Sequence, residues 1–277
     1  MPTGPAPVRL DPTESHPARS TFNGMRVAFV GKGGAGKSVL AGTFARLLAR
    51  AGEPVLAIDS DPMPGLAFSL GVDLTDAGIP DDAVEERPEG AEGPRFRLRP
   101  GLSPAEAVRR YAASGPDGVR FLQFGKLRGH STELMRSQAA FHSIVHQLPE
   151  EEWSLVGDLP GGTRQPFFGW ARYARTVLVV AEATPASLLS ARRLARLAQM
   201  TEAPEVLAVA NRVRTPQDEG RVATATGLHV VATVPYDEVV VDAESRGLPL
   251  LDCAPESGPV VAVESLLTRL QFQEQDQ

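Results

Sequence analysis

The sequence predicts a single doubly wound α/β domain, in which helices cover both faces of a mostly parallel sheet. Short, continuously apolar runs recur between residues 26 and 234, and helix-length segments alternate with the later ones. Strands of a parallel sheet are buried on both sides, so they are apolar throughout. The composition agrees, because 42% hydrophobic and 22% charged residues are typical of a globular protein with a buried core.

The first apolar run, residues 26–30, ends in a glycine-rich loop that opens a helix predicted from Ser38 to Arg50. That helix has its apolar residues on one face, and Gly52 stands just past its end. The remaining elements follow from the same patterns. Strands are predicted at 55–59, 119–124, 153–158, 176–181, 206–210 and 229–234, and helices at 103–112, 131–148, 185–200 and 238–247.

Three segments depart from this rhythm. Residues 1–24 form a Pro-rich leader without an apolar period, which we expect to be disordered, as is the short tail at 273–277. The domain itself is predicted to span residues 25–272. Within it, residues 74–118 form an acidic, Gly- and Pro-rich excursion followed by a helix, and we expect the excursion to be exposed and mobile.

Charge and cysteine content exclude several classes of protein. The net charge of −6 argues against broad nucleic-acid binding, which needs a basic surface. The single cysteine, Cys253, excludes an internal disulfide framework, fits a reducing compartment and is expected to be a small buried residue. No apolar run approaches the length of a bilayer span, and the first residues lack the order of a secretory signal. We therefore expect a cytoplasmic protein.

The glycine-rich loop carries the strongest chemical signal. Gly31 to Ser38 has the pattern Gly-x-x-x-x-Gly-Lys-Ser directly between a predicted strand and a predicted helix. Glycines let successive backbone N–H groups face one point, and the positive end of the helix adds to them. Lys37 is expected to neutralise the β- and γ-phosphates of ATP, and Ser38 to ligate Mg²⁺. The predicted nucleotide contacts are Gly33, Gly34, Ala35, Gly36, Lys37, Ser38 and Val39.

Lysine usage singles out a second position in this loop. The chain has only three lysines, Lys32, Lys37 and Lys126, against 25 arginines. Two of the three lie within eight residues, where a compact ammonium fits among phosphate oxygens better than a planar guanidinium does. The motif accounts for Lys37 but not for Lys32. A functional role at Lys32 is favoured over a solvent-facing residue in a free position.

Carboxylates follow two further predicted strands. Asp59 and Asp61 end the second strand in the sequence Asp-Ser-Asp-Pro, and Asp158 ends a later one in Asp-Leu-Pro-Gly-Gly. Ligands of open parallel sheets bind beyond the carboxyl ends of the strands, so these acids are expected beside the phosphates. They suit a Mg²⁺ shell at Asp59 and Asp158, and an orienting group for the attacking water at Asp61. An ordinary strand-ending turn is the alternative interpretation.

With these residues, the sequence resembles the MinD/ParA group of P-loop ATPases from Met25 onward. The resemblance implies that Lys32 crosses a homodimer interface to the partner's nucleotide, and that Asp61 orients the attacking water. It also implies that Asp158 and Gly162 form a switch that senses the γ-phosphate. Asn211, Arg212 and Pro235 match the group's adenine-side residues.

Within that group the sequence looks most like the accessory ATPases of carbon monoxide dehydrogenase nickel insertion. Those proteins carry a Cys-x-Cys metal site in the region corresponding to residues 125–143, where this chain has no cysteine. His142 and His146 stand four apart on a predicted helix, and His130 lies upstream. Such a pair can chelate a metal, but ordinary surface or core histidines are the favoured interpretation.

Three functions remain open from the sequence. The favoured one is a Mg-dependent ATPase that dimerises with ATP, hydrolyses it slowly with stimulation from an activator, and assists the assembly or maturation of a client protein. A MinD- or ParA-like positioning ATPase is the alternative, but the amphipathic segment expected at Val260–Phe272 has Arg269 as its only cation. Arg192, Arg193 and Arg196 cluster on one helix, which is more often a solvated face than a DNA site. A nucleotide-binding regulatory module with little turnover is the third.

Overall fold

The computed structural model of the chain describes residues 24–60, 65–73, 79–88, 90, 92, 94–123, 131–161, 171–200 and 205–275. Residues 1–23 of the predicted leader, the 276–277 end of the tail, Asp61, Gly162 and His130 lie outside these ranges. The strands are β1 Arg26–Gly31, β2 Val55–Asp59, β3 Val84–Glu86, β4 Phe96–Leu98, β5 Ala113–Ser114, β6 Arg120–Gln123, β7 Ser154–Asp158, β8 Thr176–Ala181, β9 Glu205–Val213 and β10 Val230–Pro235. The helices are α1 Lys37–Arg50, α2 Leu66–Leu70, α3 Pro104–Tyr111, α4 Ser131–Gln147, α5 Pro185–Met200, α6 Pro216–Thr226, α7 Glu238–Ser245, α8 Leu250–Cys253 and α9 Gly258–Gln275.

The central sheet confirms the predicted fold class. Its eight strands run in the order β10-β9-β8-β1-β7-β2-β6-β5, and all neighbours are parallel except the short edge strand β5, which is antiparallel to β6. The late strand β7 lies between β1 and β2. This insertion brings the carboxyl ends of three strands that are far apart in sequence to the same edge.

Each face of the sheet has its own apolar core. Along β1, Val27 and Phe29 pack with α1, α2 and α9, whereas Ala28 and Val30 pack with α3, α4, α5 and α6. Successive side chains of a strand point to opposite faces, so a strand buried on both sides must be apolar at every position. This is why the continuous apolar runs locate the strands correctly.

The excursion at 74–118 holds an antiparallel pair, β3 and β4, that the sequence analysis does not anticipate. Its two strands have three residues each. An ion pair between Arg97 and Glu85 joins the two strands, and a second one joins Glu86 to Arg95, the residue just before β4. Phe96 of β4 is buried, and it belongs to the same apolar core as the inner residues of α4. Among the helices within the described ranges, none has both the length and the hydrophobicity that crossing a bilayer requires.

Two details of the C-terminal region differ from the sequence analysis. Val261, expected on the apolar face of the last helix, is about half exposed, while Leu266, Leu267 and Leu270 are buried against the core. Cys253 is half-buried at the end of α8 rather than fully buried. Both deviations arise because α8 and the start of α9 cover only the small cluster around Val39 and Leu250, which leaves their outer residues to solvent.

A buried arginine ties α1 to the rest of the molecule. Arg46 is 2% exposed, and its guanidinium binds Asp252 through two hydrogen bonds of 2.6 and 2.8 Å and Asp117 through one of 2.7 Å. Arg50 also contacts Asp117, at 3.1 Å. The hydrogen bonds from Arg46 lower the pKa of Asp252. The helix that begins at the glycine loop is thereby anchored to two distant chain segments.

We predict that Arg46→Met lowers the free energy of unfolding by about 2 kcal/mol, because it leaves two carboxylates facing an apolar group. Both carboxylates keep some solvent, which holds the loss below that of a fully buried pair. Urea unfolding followed by circular dichroism measures the loss. Arg246→Met, which breaks an exposed ion pair with Asp242, is the control and should change stability by under about 0.5 kcal/mol. An equal loss in both variants would contradict the anchoring role.

The contact between Arg46 and Asp252 also makes stability depend on pH. Since the pKa of the Asp252 carboxyl is lower in the folded state, its contribution to the free energy of unfolding is complete above its unfolded pKa of about 3.8 and is lost as the pH falls below that value.

Candidate active site

The glycine loop joins β1 to α1 with the backbone geometry that its sequence predicts. Gly34 and Gly36 have φ angles of 82° and 87°, in the left-handed region that residues with a Cβ seldom adopt. Ala35 N donates to the carbonyl of Lys32 at 3.1 Å, which closes a tight turn. The loop therefore curls over the N-terminus of α1, where unpaired N–H groups and the helix dipole attract anions.

The two lysines of the loop differ in environment. Lys37, the first residue of α1, is 6% exposed. Lys32 is exposed, and it makes no ion pair with any residue that the structure describes. Lys37 is thus placed to hold an anion inside the loop, while Lys32 presents its charge outward.

Ser38 and Asp158 meet at the centre of the site. The Ser38 hydroxyl donates a short hydrogen bond to the Asp158 carboxylate, so the first turn of α1 contacts the end of β7. Asp158 is 2% exposed and pairs in register with Phe29 of β1 on one side and with Asp59 of β2 on the other. Two strand-ending acids and one hydroxyl are therefore adjacent, as the sequence analysis predicts.

Asp59 is fully buried and has a structural contact as well. Its Oδ2 accepts hydrogen bonds from the backbone N–H groups of Gly65 and Leu66, both at 3.0 Å. This caps the N-terminus of α2 and returns the chain toward α1, where a Cβ at Gly65 would lie 3.3 Å from the Ser38 hydroxyl. Asp61 falls between these residues and lies outside the described ranges, so its role stays a prediction.

The segment after Asp158 passes directly over the glycine loop. A Cβ placed on Gly161 would lie 2.8 Å from the backbone N of Gly33, closer than real Cβ contacts. One residue before Asp158, a Cβ on Gly157 would overlap the hydroxyl of Tyr173, a side chain whose burial raises its pKa. Glycine is therefore needed just before Asp158, where the strand packs against Tyr173, and three residues after it, where the chain packs against the glycine loop.

A cleft that we call the base pocket lies beside the loop, between the start of α1 and the elements after β9 and β10. Its residues border about 380 Å³ of empty space, part of which is open solvent. Asn211 is 6% exposed, and its Nδ2 donates to the Ala35 carbonyl at 2.7 Å. A Cβ on Gly36 would overlap this amide. The lining residues are Gly36, Val39, Leu40, Asn211, Arg212, Val234, Pro235, Tyr236, Asp237, Val240, Val241 and Pro259.

Arg212 lines this pocket, but its guanidinium is engaged by carboxylates. It binds Glu182 at 2.8 Å and Glu244 at 3.5 Å, and its backbone is left-handed with φ 54°. Arg214 stacks over the ring of Tyr236 with Cζ 3.4 Å from the centroid. The sequence analysis names neither Glu182 nor Glu244. Glu182 follows β8 directly, a visible signal, whereas nothing in the sequence connects Glu244 with Arg212.

The histidine pair does not form a metal centre with other described residues. The rings of His142 and His146 lie 4.0 Å apart, centroid to centroid, on α4. Desolvation and the nearby Arg172 lower the pKa of His142. Within the described ranges there is no group of three or more His, Cys, Asp or Glu side chains that could hold a metal ion. Ordinary histidines on a helix remain the favoured interpretation.

The donor set at the sheet edge fits Mg²⁺ and a nucleoside triphosphate. Hydroxyl and carboxylate oxygens, the groups that Mg²⁺ prefers, are supplied by Ser38, Asp158 and Asp59. Buried Lys37 directly precedes Ser38 at the N-terminus of α1, a position that suits phosphate oxygens bridged to a cation. The base pocket opens from the same loop through Gly36 and Val39.

We predict that Asn211→Ala weakens ATP binding about tenfold, because the Ala35 carbonyl loses its hydrogen-bond donor and the curled loop loses its support. Titration with a fluorescent ATP analogue measures the change. Thr215→Ala, at the N-cap of α6 a few residues on, is the control for general damage to this region and should leave the affinity within about twofold. Unchanged affinity in Asn211→Ala would remove the support role.

Comparison with known proteins agrees with this geometry. Residues 27–250 match the family described as the CobQ/CobB/MinD/ParA nucleotide binding domain. An uncharacterized ATP-binding protein of Methanocaldococcus jannaschii is 27% identical over 236 residues, which cover 82% of this chain and 91% of that protein. The carbon monoxide dehydrogenase accessory protein CooC of Rhodospirillum rubrum is 26% identical over 242 residues, covering 83% and 91%.

Solved structures show the same fold. The septum site-determining protein MinD of Pyrococcus horikoshii, complexed with Mg-ADP, superposes with a TM-score of 0.65 at 18% identity, over 89% of this chain and 96% of that one. The family match covers the sheet from β1 to β10, including the glycine loop, both strand-ending acids and every residue of the base pocket except Pro259. The chain belongs to the MinD/ParA nucleotide-binding family of P-loop proteins.

Proposed function

We propose that this protein is a Mg-dependent ATPase that switches between monomer and dimer, and that it assists the assembly or maturation of a client protein such as a metalloenzyme. The contact between the Ser38 hydroxyl and the Asp158 carboxylate carries the proposal. It joins the phosphate-binding helix to the strand that leads into the Asp-Leu-Pro-Gly-Gly segment. A ligand that separates these two groups would act on both elements at once.

Each residue of the candidate site has a distinct role in this proposal. Lys37 and the N–H groups of the loop bind the phosphates, and Ser38, Asp59 and Asp158 hold Mg²⁺ directly or through water. When bound, Mg²⁺ neutralises phosphate charge. Asp61 orients the attacking water. Asn211, Arg212 and Pro235 border the adenine, with Arg212 acting through its ion pairs with Glu182 and Glu244 rather than as a free donor.

The environment of Lys32 supports the proposal that the protein forms a homodimer when it binds ATP. Its side chain is exposed at the loop that binds phosphates, and no described carboxylate neutralises it. The chain replaces lysine by arginine almost everywhere else, so a retained lysine at this position favours a contact with phosphate oxygens. The resemblance to the MinD/ParA group implies that this contact is made with the nucleotide of a second copy, while Lys37 serves the nucleotide of its own subunit.

Two observations favour assembly or maturation over positioning on a membrane. The accessory protein CooC, named for carbon monoxide dehydrogenase, matches over 83% of this chain. In α9, the apolar residues Leu266, Leu267 and Leu270 are committed to the core, and Arg269 donates to the Val231 carbonyl at 2.9 Å. In the described part of this helix the main apolar stripe is therefore committed to the core and the one cation is engaged, so Val261 and Phe272 are exposed without a basic face beside them, which disfavours binding to an anionic bilayer. The missing Cys-x-Cys element argues against metal transfer through thiolates in this chain.

The dimer prediction is tested by the molar mass in solution, measured by light scattering with Mg²⁺ and a non-hydrolysable ATP analogue or with Mg²⁺ and ADP. We expect a dimer only with the triphosphate, and a monomer under both conditions in Lys32→Ala. Arg109→Ala removes an exposed cation on α3 and is the matched control, which should dimerise as the wild type does. A mass that is independent of nucleotide would remove the cross-subunit role of Lys32 while leaving ATP binding standing.

The catalytic prediction concerns Asp61. Asp61→Ala should bind ATP within about twofold of the wild type and hydrolyse it about 100-fold more slowly, because the attacking water loses its orienting carboxylate. Single-turnover phosphate release and nucleotide titration measure the two quantities separately. Lys37→Ala is the reference for a lost site and should weaken ATP binding about 100-fold or more. Wild-type turnover in Asp61→Ala would assign water orientation to another group.

A further inference from the structure

One outer face of helix α5 carries three arginines that follow an apolar side chain. Leu189, Arg192, Arg193 and Arg196 recur at helical spacing and are all exposed, whereas Ala191, Leu194 and Ala195 on the opposite side are buried in the core. Residues three and four apart on a helix are neighbours on its surface. The rise from residue 189 to residue 196 is about 10 Å, so the four side chains form one compact patch, which we call the α5 arginine face.

The arginines of this face lack carboxylate partners. Arg192, Arg193 and Arg196 form no ion pair with any residue that the structure describes. Other exposed arginines are matched, for example Arg95 with Glu86, Arg97 with Glu85, Arg110 with Glu106, Arg175 with Glu150 and Arg246 with Asp242. In a chain with a net charge of −6, carboxylates are plentiful, yet none of the described ones forms an ion pair with these three arginines.

The position of α5 connects the face to the nucleotide site. The helix begins three residues after Glu182, whose N–H donates to the Ser187 hydroxyl within the first turn of α5 at 3.0 Å. The carboxylate of Glu182 binds Arg212, which lines the base pocket. A partner on this face would therefore contact a helix whose first turn is tied to the wall of the nucleotide pocket.

We propose that the α5 arginine face binds an acidic segment of a client or activator protein that also carries an apolar side chain. Guanidinium groups bind carboxylates through paired hydrogen bonds, and arginine is enriched among the residues that carry most of the binding energy of protein interfaces. The inference names the kind of partner that the proposed function leaves open, and it rests on that function in this respect. The partner supplies the carboxylates that the described residues do not provide.

Charge and size favour a protein over nucleic acid as the occupant. A duplex is held by many phosphate contacts along an extended basic surface, whereas this face offers three cations over about 10 Å. The first turn of α6, which packs against α5, carries the acidic residues Asp218 and Glu219. Leu189 is 51% exposed at the N-terminal end of the patch, where a phosphate backbone would leave it in water but a protein side chain would bury it.

The test uses the full chain with Mg²⁺ and ATP, and a short fluorescein-labelled peptide in which glutamates and leucines alternate at helical spacing. Fluorescence anisotropy at about 0.1 M salt measures its dissociation constant. The triple variant Arg192→Gln/Arg193→Gln/Arg196→Gln should raise that constant about tenfold or more. Leu189→Ser should raise it about threefold. A peptide with lysine in place of glutamate should not bind.

The matched control is Arg109→Gln/Arg110→Gln/Arg246→Gln, which changes the net charge equally at three exposed, ion-paired arginines. An equal loss in this control, or no binding of the acidic peptide to the wild type, overturns the proposal. Tighter binding of a duplex DNA oligonucleotide that is lost in the α5 variant overturns it in favour of nucleic acid. ATP titration of the same variants separates the outcomes: intact ATP binding without peptide binding rejects only this inference, whereas absent ATP binding in the wild type rejects the proposed function.

Discussion

The site depends on one constraint, the insertion of β7 between β1 and β2. Without it, the end of β2 would adjoin β1 directly, and Asp158 would have no place beside Ser38. With it, Asp158 lies in register with both neighbours, and a hydroxyl from the first turn of α1 reaches its carboxylate. The glycines around Asp158 follow from the same insertion, since β7 must pass between Tyr173 on one side and the glycine loop on the other. The position of Asp158 between two strands therefore determines that glycine is needed at the nearby positions 157 and 161.

A second set of contacts holds the loop from behind and from the side. Arg46 anchors α1 through Asp117 and Asp252, which lie 71 and 206 residues away in sequence. Asn211 holds the loop carbonyl of Ala35 across 176 residues. Because left-handed glycines give a loop little rigidity of its own, these long-range polar contacts supply the order that phosphate binding requires. The P-loop pattern is local in sequence, but its rigidity comes from distant residues.

The sequence predicts the parts of the molecule whose physics is local or periodic. The parallel strands are found because burial on both faces demands unbroken apolar runs, and α1 and α5 begin and end within a residue of the predicted bounds. The pair β3 and β4 is missed because three residues are too few for a periodic signal in an acidic, Gly-rich segment. The exposure of Val261 is not predicted because helical spacing identifies the apolar face of a helix but does not show which part of that face the core covers. The Asp59 and Asp158 placement is predictable from strand ends alone.

Contacts between distant residues limit the prediction at the base pocket. From the sequence, Asn211 and Arg212 form one adjacent pair with a shared role, yet their side chains serve different elements. Asn211 binds the glycine loop, whereas Arg212 binds Glu182 and Glu244 and so links the end of β8 with α7. Both residues lie in β9, where successive side chains point to opposite faces, so adjacent residues can serve different elements. A guanidinium held between two carboxylates has fewer donors left for a base, so we propose that Arg212 affects nucleotide affinity through the position of α7, whose Val240 and Val241 form a wall of the pocket.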